Sequence, residues 1–239
     1  MKWNAYLISA AIASMTLVAC SEDDPVNPDN NNPDTEEPDT ENPADETVEG
    51  NVSGVWEANS VIKVSGHIVV PEGESLTIEE GVQVIFDDAG VGANHAPIEF
   101  TVDGNLYCEG TAENPVRLTV AEEDRTEANT FAGLWGGIVA SNTCAGMLID
   151  HTIIEYTGGQ VIEGSPAATN GVYTAGDDAY PQITTNNING KYIITNSIIR
   201  NGWSDGIYLM GGQAIIANNI FAANGYDGAE AVNVKAGCQ

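Results

Sequence analysis

Basic residues are scarce in this sequence. Its 239 residues include 35 Asp and Glu but only 7 Lys and Arg, which gives a formal net charge of −28 at pH 7. Residues 51–239 alone carry 23 acidic and 6 basic residues, a net charge of −17. Binding to phosphate groups depends on clusters of Lys and Arg. The composition therefore excludes nucleic acid as a partner and argues against adsorption to anionic lipid.

Long apolar runs are also missing. Residues 5–19 form a run of 15 mostly small and apolar residues, whereas a membrane-spanning helix needs about 20. The run follows Lys2, as in a secretory signal peptide, and we assign residues 1–19 to one. Its end, LVAC, resembles the lipobox of bacterial lipoproteins, which implies cleavage before Cys20 and lipidation of Cys20. Several acyl chains would hold the protein on a membrane. The alternative is an ordinary signal peptide followed by an unrelated cysteine.

The segment after Cys20 has almost no apolar side chains. Residues 21–50 contain 12 acidic residues, no basic residue and 5 of the 10 prolines. Such a composition predicts a disordered, extended tether over residues 20–50, with a reach of up to roughly 90 Å. The acids directly after Cys20 resemble the export signal of some Gram-negative lipoproteins. This resemblance implies an outer-membrane lipoprotein exposed on the cell surface, with a periplasm-facing protein as the alternative.

Cysteines are few beyond the anchor: Cys108, Cys144 and Cys238. The cell envelope is oxidising, so one disulfide is possible, and one thiol is then left over. Cys108–Cys144 is the favoured pair. Each cysteine is equally compatible with a small buried residue in a stacked core.

Helical periodicity is absent from the last third of the chain. The short runs KYIITNSII, GIYLM, QAIIANNIF and EAVNV read as strands of three to five residues, separated by Gly and Asn. Residues 194–206 recur, with changes, as residues 216–228, an interval of 22 positions. A helix-free repeat of this length predicts an all-β fold, with each repeat forming one coil of a β-solenoid.

Equivalent residues of successive coils should stack at about 4.8 Å. Stacked aliphatic residues would form columns inside the solenoid, and stacked Asn side chains would form a hydrogen-bonded ladder at a bend. The predicted stacked pairs are Ile198 on Ile220, Ile207 on Ala229, and Asn196 on Asn218.

The preceding sequence follows the same pattern with longer loops. Residues 65–88, 98–120 and 134–156 alternate apolar and polar positions, as strands of a half-buried sheet do. Residues 157–189 are polar and rich in Gly, which predicts an excursion from the coil, and functional surfaces are often built on such loops. We assign residues 51–239 to one solenoid domain.

Several segments of the sequence resemble segments of right-handed parallel β-helix proteins of the pectin-lyase-like superfamily. They are VVPEGESLTIEEGVQVIF, GNLYCEGTAENPVRLT, LWGGIV and SDGIYLMGGQAIIANNIFAANGYDG. The resemblance covers about residues 54–239 and implies the right-handed parallel β-helix fold. It implies no single activity, because the superfamily includes lyases, hydrolases and adhesins. The last residues, VNVKAGCQ, contain no element that would cap the exposed strand edges of the last coil. We therefore expect the natural protein to continue beyond Gln239.

Asp205 and Asp227 hold equivalent places in the two repeats, so their carboxylates are expected about 5 Å apart. Such a pair shares a proton, binds a divalent cation such as calcium, or serves as the two acids of a retaining glycosidase. Each Asp also precedes Gly, as in many turns. Turn residues, a calcium site and catalytic acids are thus three interpretations of the pair. The resemblance adds Arg200 and Lys235 as candidate bases of a calcium-dependent polysaccharide lyase.

Other catalytic motifs are incomplete. LIDHTI, at 148–153, is similar to a pectate-lyase phrase, but Asp150 and His151 have no second acidic cluster and no arginine motif beside them. The Gly-His-Gly and Arg-x-Lys motifs of polygalacturonases are missing, and the adjacent aspartates of GDDAY, at 176–180, lack their usual companions. His67 and His95 do not have the spacing of zinc ligands. Calcium is the only cofactor for which the sequence offers candidate ligands.

Aromatic residues make up only 7% of the chain. Trp203 and Tyr226 occupy related points of the two repeats, and these two residues and Tyr208 are candidates for a face on which sugar rings stack. Core or edge packing is the alternative, for these three as well as for Trp56 and Trp135.

Taken together, the sequence predicts a cell-envelope lipoprotein with a β-helix domain. The expected function is a non-catalytic surface module that binds a glycan or a protein partner, or serves a structural role. The alternative is a calcium-dependent polysaccharide lyase or glycoside hydrolase acting on acidic extracellular polysaccharide. The charge of −17 would repel a polyuronate, which weighs against the alternative.

Overall fold

The computed structural model describes residues 46–225, 231–235 and 238. The predicted signal peptide, Cys20 and most of the predicted tether lie outside these residues. The described part begins with strand β1 (Glu46–Asn51), which pairs in parallel with β3 (Val61–Val70). Residues 46–50 therefore belong to the folded part, not to the tether as predicted. Val48 packs against the core, and the backbone of β1 pairs with β3.

The chain winds into coils of three strands, and every pair of adjacent strands is parallel. The strands stack into three faces. The first face contains β2 (Gly54–Trp56), β4 (Ser75–Ile78), β7 (Asn105–Glu109), β10 (Gly146–Asp150), β13 (Lys191–Thr195) and β16 (Gln213–Ala217). The second face contains the first half of β3, then β5 (Gln83–Phe86), β8 (Val116–Thr119), β11 (Thr152–Glu155), β14 (Ile198–Arg200) and β17 (Ile220–Ala222). The third face contains the second half of β3, then β6 (Glu99–Val102), β9 (Gly137–Ala140), β12 (Ile183–Thr185), β15 (Ile207–Leu209) and β18 (Val232–Val234).

The core lies between the three faces. Because side chains alternate along a strand, every second residue points inward and stacks on its counterpart in the next coil. Ile194 stacks on Ile216 in this way, and Phe86 packs on Trp135 with ring centroids 3.9 Å apart. The all-β solenoid predicted from the sequence is thereby confirmed. No helix within the described residues is long and apolar enough to cross a membrane.

The predicted register is correct for two of the three pairs. Ile198 pairs with Ile220, and the side chain of Asn218 donates to that of Asn196 at 3.3 Å, as the amide ladder requires. The Ile198–Ile220 pair does not lie inside the solenoid as predicted, however. Ile220 is 58% exposed, and because side chains alternate along a strand it is the neighbouring Ile199 that points into the core. Ile207, however, pairs with Val232 and not with Ala229. The bend between β17 and β18 is longer than the bend between β14 and β15, which shifts the third face by three residues.

The ladder marks a bend of two residues between the first and second faces. Asn196 and Asn218 both have left-handed backbone conformations there, with φ of 52° and 58°. His151 occupies the same place one coil earlier, with φ of 44°. Asn and His are among the residues that tolerate this conformation, which explains their use where the chain turns so sharply.

The structure contains no disulfide among its described cysteines. Cys108 and Cys144 are buried free thiols, and Cys108 lies in the core column between Ile78 and Ile149. The favoured Cys108–Cys144 pairing is therefore wrong, and the alternative of small buried core residues is correct. Burial raises the pKa of each of these two thiols to about 12.

The excursion leaves the coil as predicted, but it is shorter than predicted, since the chain rejoins the coil at β12 and not after residue 189. Residues 157–182 run outside the coil and include the short helix α1 (Pro166–Thr169), whereas Ile183–Thr185 already form β12. The excursion packs on the outer side of the third face through a second apolar cluster, formed by Val139, Val161, Ala167, Tyr173 and Tyr180. A long insertion thus covers most of one face.

Adjacent residues of β13 provide a test of the register. Ile194 is fully buried, whereas Ile193 points outward and is 41% exposed. We expect Ile194→Ala to lower the free energy of unfolding by about 2–5 kcal/mol, because it leaves a cavity in the core. Ile193→Ala should cost less than about 1 kcal/mol. Urea unfolding of both variants measures the difference, and equal losses would contradict the register.

Candidate functional site

A polar cleft of about 450 Å³ opens where the third face bends toward the first. Most of its lining follows directly after strands of the third face, and a segment of the excursion forms another wall. Stacking of the coils thus brings together residues that are far apart in sequence. The lining residues are Glu72, Asp103, Ser141, Asn142, Thr143, Asn170, Gly171, Val172 and Asn186.

Hydrogen bonds hold the hydroxyl groups of this cleft in place. Thr143 Oγ1 donates to the carbonyl oxygen of Asp103 at 2.9 Å, and it lies 3.0 Å from Ser141 Oγ. Ser141 Oγ also accepts from the backbone amide of Thr143. The nine lining residues offer two carboxylates, three amide side chains and two hydroxyls, but no basic side chain. The cleft therefore suits a ligand with many hydrogen-bonding groups and no negative charge.

The excursion is fastened to the third face by the buried carboxylate of Glu99. Its Oε2 accepts from the amide of Ala167 at 2.8 Å and from the hydroxyl of Tyr180 at 3.1 Å. Its Oε1 accepts from Thr101 at 2.5 Å. Burial raises the pKa of Glu99, and the hydrogen bonds from Thr101, Ala167 and Tyr180 counteract this only in part. Glu99 thus connects the coil to the loop that walls the cleft.

The structure pairs the candidate base Arg200 with a buried acid. Arg200 donates to Glu155 at 2.8 Å, and Arg117 binds the other oxygen of Glu155 at 2.5 Å. Glu155 is almost fully buried and also accepts from Thr119. The three charged residues lie on the second face, in strands β8, β11 and β14. Arg200 is therefore part of an ion-pair network and does not line the cleft.

The other lyase candidates are not assembled with Arg200. Lys235 follows β18 and is exposed, and its amide donates to Leu209. Asp205 is buried near the end of the bend before β15, and Asn233 donates to its Oδ2 at 3.3 Å. Asp227 lies outside the described residues. Within the described part of the chain, no group of three or more His, Cys, Asp and Glu is placed to bind a metal ion. Calcium binding by Asp205 and Asp227 stays a prediction.

Asp150 and His151 form a hydrogen-bonded pair at the bend of the ladder. His151 Nδ1 lies 3.0 Å from Asp150 Oδ2, and Thr195 and Asn196 donate to Oδ1. Burial acts to raise the pKa of Asp150, but the hydrogen bonds from Thr195, Asn196 and His151 outweigh it, so the pKa is lowered. The carboxylate thus extends the Asn ladder by one coil, which is a structural role.

The predicted aromatic face is only partly described. Tyr226 lies outside the described residues. Trp203 and Tyr208 are half-buried, and Tyr208 packs against the apolar cluster beneath the excursion. Trp56 and Trp135 are buried in the core, so core packing is the correct interpretation for these two. Sugar stacking on Trp203, Tyr208 and Tyr226 stays a prediction.

The residues of the cleft were not found from the sequence. Their shared feature is position: Glu72, Asp103 and Asn186 each come one or two residues after a strand of the third face. Recognising this needs the strand register of coils that differ in length, since β4 and β7 begin 30 residues apart but β10 and β13 begin 45 apart. The regular interval of 22 residues separates paired residues at the two ends of the solenoid, as in Val55 with Thr77 and Ile193 with Ile215, but not in the coils between them.

Comparison with known families agrees with this architecture. Residues 47–146 match the family model described as a pectate-lyase-like β-helix domain. The match runs from β1 to the first residue of β10. Together with the parallel stacked strands, it confirms the right-handed parallel β-helix predicted from the sequence. Neither the curated proteins nor the solved structures gave a significant match to the chain.

We expect Arg200→Leu to lower the free energy of unfolding by about 2–4 kcal/mol, because it removes one partner of a buried carboxylate. Lys191→Leu, at an exposed position of the first face, is the control and should cost less than about 0.5 kcal/mol. Replacing Glu155 by Leu as well should recover part of the loss. Unchanged stability of Arg200→Leu in urea unfolding would show that the network is not structural.

The stability of the protein should fall with rising pH because of Glu99. Its pKa is raised in the folded state, so the folded protein binds more protons than the unfolded chain between the two pKa values. The contribution of Glu99 to the free energy of unfolding is fully present below the pKa that this residue has in the unfolded chain. It is lost as the pH rises through the higher pKa that Glu99 has in the folded protein. In Glu99→Gln the stability should fall less steeply with pH. Urea unfolding midpoints of the variant and the wild type, compared from about pH 4 to about pH 8, measure this difference. Glu109→Gln, at an exposed position, is the control, and an unchanged slope in Glu99→Gln would contradict the assignment.

Proposed function

We propose that this protein is a non-catalytic, glycan-binding module of the bacterial cell envelope. The observation that carries the proposal is the polar cleft beside the third face, with its carboxylates, amides and ordered hydroxyls. These groups donate and accept hydrogen bonds in the way that sugar hydroxyls require. The parallel coils hold them on a rigid scaffold, which limits the entropy lost on binding.

The charge of the cleft selects among glycans. Glu72 and Asp103 are its charged lining residues, and the domain around them has a net charge of −17. Uronic acid chains would be repelled, whereas neutral or amino-bearing sugars would not. The ligand class is therefore a neutral or amino-substituted oligosaccharide.

Two features favour binding over lyase chemistry. A lyase needs a basic side chain that removes a proton beside the sugar carboxylate, and none of the nine lining residues is basic. Arg200 is engaged with Glu155 on another face. Arg200 thus lies apart from the surface best suited to a sugar.

Calorimetric titration with neutral, amino-substituted and uronate oligosaccharides tests the proposal. Binding of one of the first two classes is expected, and Asp103→Asn or Asn142→Ala should weaken it by about tenfold or more. Thr77→Ala, on the first face, is the control and should leave the affinity unchanged. Binding confined to uronates, or release of unsaturated or reducing ends during incubation, would refute a non-catalytic module for neutral glycans.

The proposed location depends on Cys20. We propose that lipid on this cysteine anchors the protein in the outer membrane, with residues 21–45 as an acidic tether that presents the β-helix outside the cell. Cys20→Ser should move the protein from the detergent-extracted membrane fraction to the soluble fraction. Protease added to intact cells should remove the wild-type domain. Protection from protease would indicate the periplasm-facing alternative, and membrane retention of Cys20→Ser would exclude the lipid anchor.

A further inference from the structure

The outer side of the first face carries a continuous column of mostly apolar side chains. Each coil contributes the central outward residue of its strand, and the strand register places these residues directly above one another. We call them the first-face column: Val55, Thr77, Tyr107, Leu148, Ile193 and Ile215. Five steps of about 4.8 Å give the column a length of about 24 Å.

Three aliphatic members of this column are open to solvent. Val55 is 49% exposed, Ile193 is 41% exposed and Ile215 is 60% exposed. A cleft of about 390 Å³ lies along the last two coils, between Ile193 and Ile215 and their neighbours. The third face, in contrast, is covered by the excursion through its own apolar cluster. Thr77, Tyr107 and Leu148, in the coils between Val55 and Ile193, are half-buried. Exposed apolar side chains at both ends of one aligned column are typical of a surface that binds a partner.

Charge limits what that partner can be. The next outward position along the strands carries an acid in each of the first four coils. In the third and fourth coils these acids are Glu109 and Asp150, and the strand register pairs them directly. In the other two coils, Glu57 and Glu79 follow the paired residues Trp56 and Ile78. A row of carboxylates therefore borders one side of the column over its first four coils, whereas Thr195 and Ala217 hold this position in the last two. The opposite border contains Ser75, Asn105 and Gly146, which are uncharged, and the single base Lys191.

We infer that the first-face column is a docking surface for a basic amphipathic helix of another protein. Such a helix supplies an apolar stripe for the column and Lys or Arg side chains for the row of carboxylates. One helical turn advances 5.4 Å against about 4.8 Å per coil, so the two spacings drift by only about 3 Å over the length of the column. About 16 helical residues span the 24 Å. A second copy of this chain fits less well, because each copy has a net charge of −17 and the two would repel each other.

A synthetic Leu/Lys peptide of about 16 residues, with Leu at positions i, i+3, i+4 and i+7, is the probe. Its binding to the purified protein is measured by fluorescence anisotropy at physiological ionic strength. We expect Ile215→Ser to weaken binding by at least about tenfold. Ile220→Ser is the matched control, since Ile220 lies in the same coil and is 58% exposed but belongs to the second face. It should change the affinity by less than about twofold.

Two further measurements separate specific docking from charge attraction. Glu109→Gln should weaken binding and reduce its dependence on salt. A peptide of the same composition but without an apolar face should bind at least about tenfold more weakly. Circular dichroism of the serine variants confirms that they remain folded.

The inference is overturned if Ile215→Ser and Ile220→Ser behave alike, or if the scrambled peptide binds as well as the amphipathic one. It is also overturned if sedimentation shows that the protein alone forms a dimer that Ile215→Ser dissociates, since the occupant would then be a second copy. Binding to zwitterionic vesicles that Ile215→Ser abolishes would likewise replace the protein partner by a membrane. These outcomes leave the glycan proposal untouched, because the polar cleft lies at the bend between the third and first faces and shares no lining residue with the first-face column.

Discussion

Parallel hydrogen bonding between successive coils is the constraint on which this structure depends. Each strand bonds to the equivalent strand of the coils above and below, so a residue's neighbours are its counterparts in adjacent coils. Inward positions become apolar columns, and outward positions become rows of side chains along the solenoid. The contacts of a side chain are therefore set by the stacked row to which it belongs. The Asn ladder illustrates this, because Asn218, Asn196 and Asp150 join three coils through side-chain hydrogen bonds at one bend.

The same constraint allows long insertions wherever the coil bends. Strands must remain in register, but the connections between them are free to lengthen, since loop closure costs rise slowly with length. The excursion at residues 157–182 uses this freedom to cover the third face and to wall the polar cleft. Its attachment through Glu99 places a carboxylate in an apolar setting, where hydrogen bonds from Ala167 and Tyr180 offset part of the cost of burial.

Buried carboxylates in this protein thus have structural partners. Glu155 is matched by two arginines on the second face, and Glu99 by three hydrogen-bond donors on the third. Neither lines the cleft. The surfaces proposed to bind ligands lie elsewhere: the cleft, proposed for a sugar, is at a bend, and the first-face column, proposed for a protein helix, is on a face. Two functions can coexist on one solenoid because the faces point in different directions.

The sequence alone was sufficient for the fold class, since the helix-free repeat of residues 194–228 fixes the period of the coil and the alternating runs before it follow the same pattern. It also predicted the stacking of Ile198 on Ile220 and the amide ladder, because both lie in the regular repeat. It failed for Ile207, for the Cys108–Cys144 pairing and for the cleft. Those features depend on how loops of unequal length align the coils. Only the tertiary structure decided which distant residues meet, because the contacts are set by backbone register between coils, and that register is not recorded in the spacing along the chain.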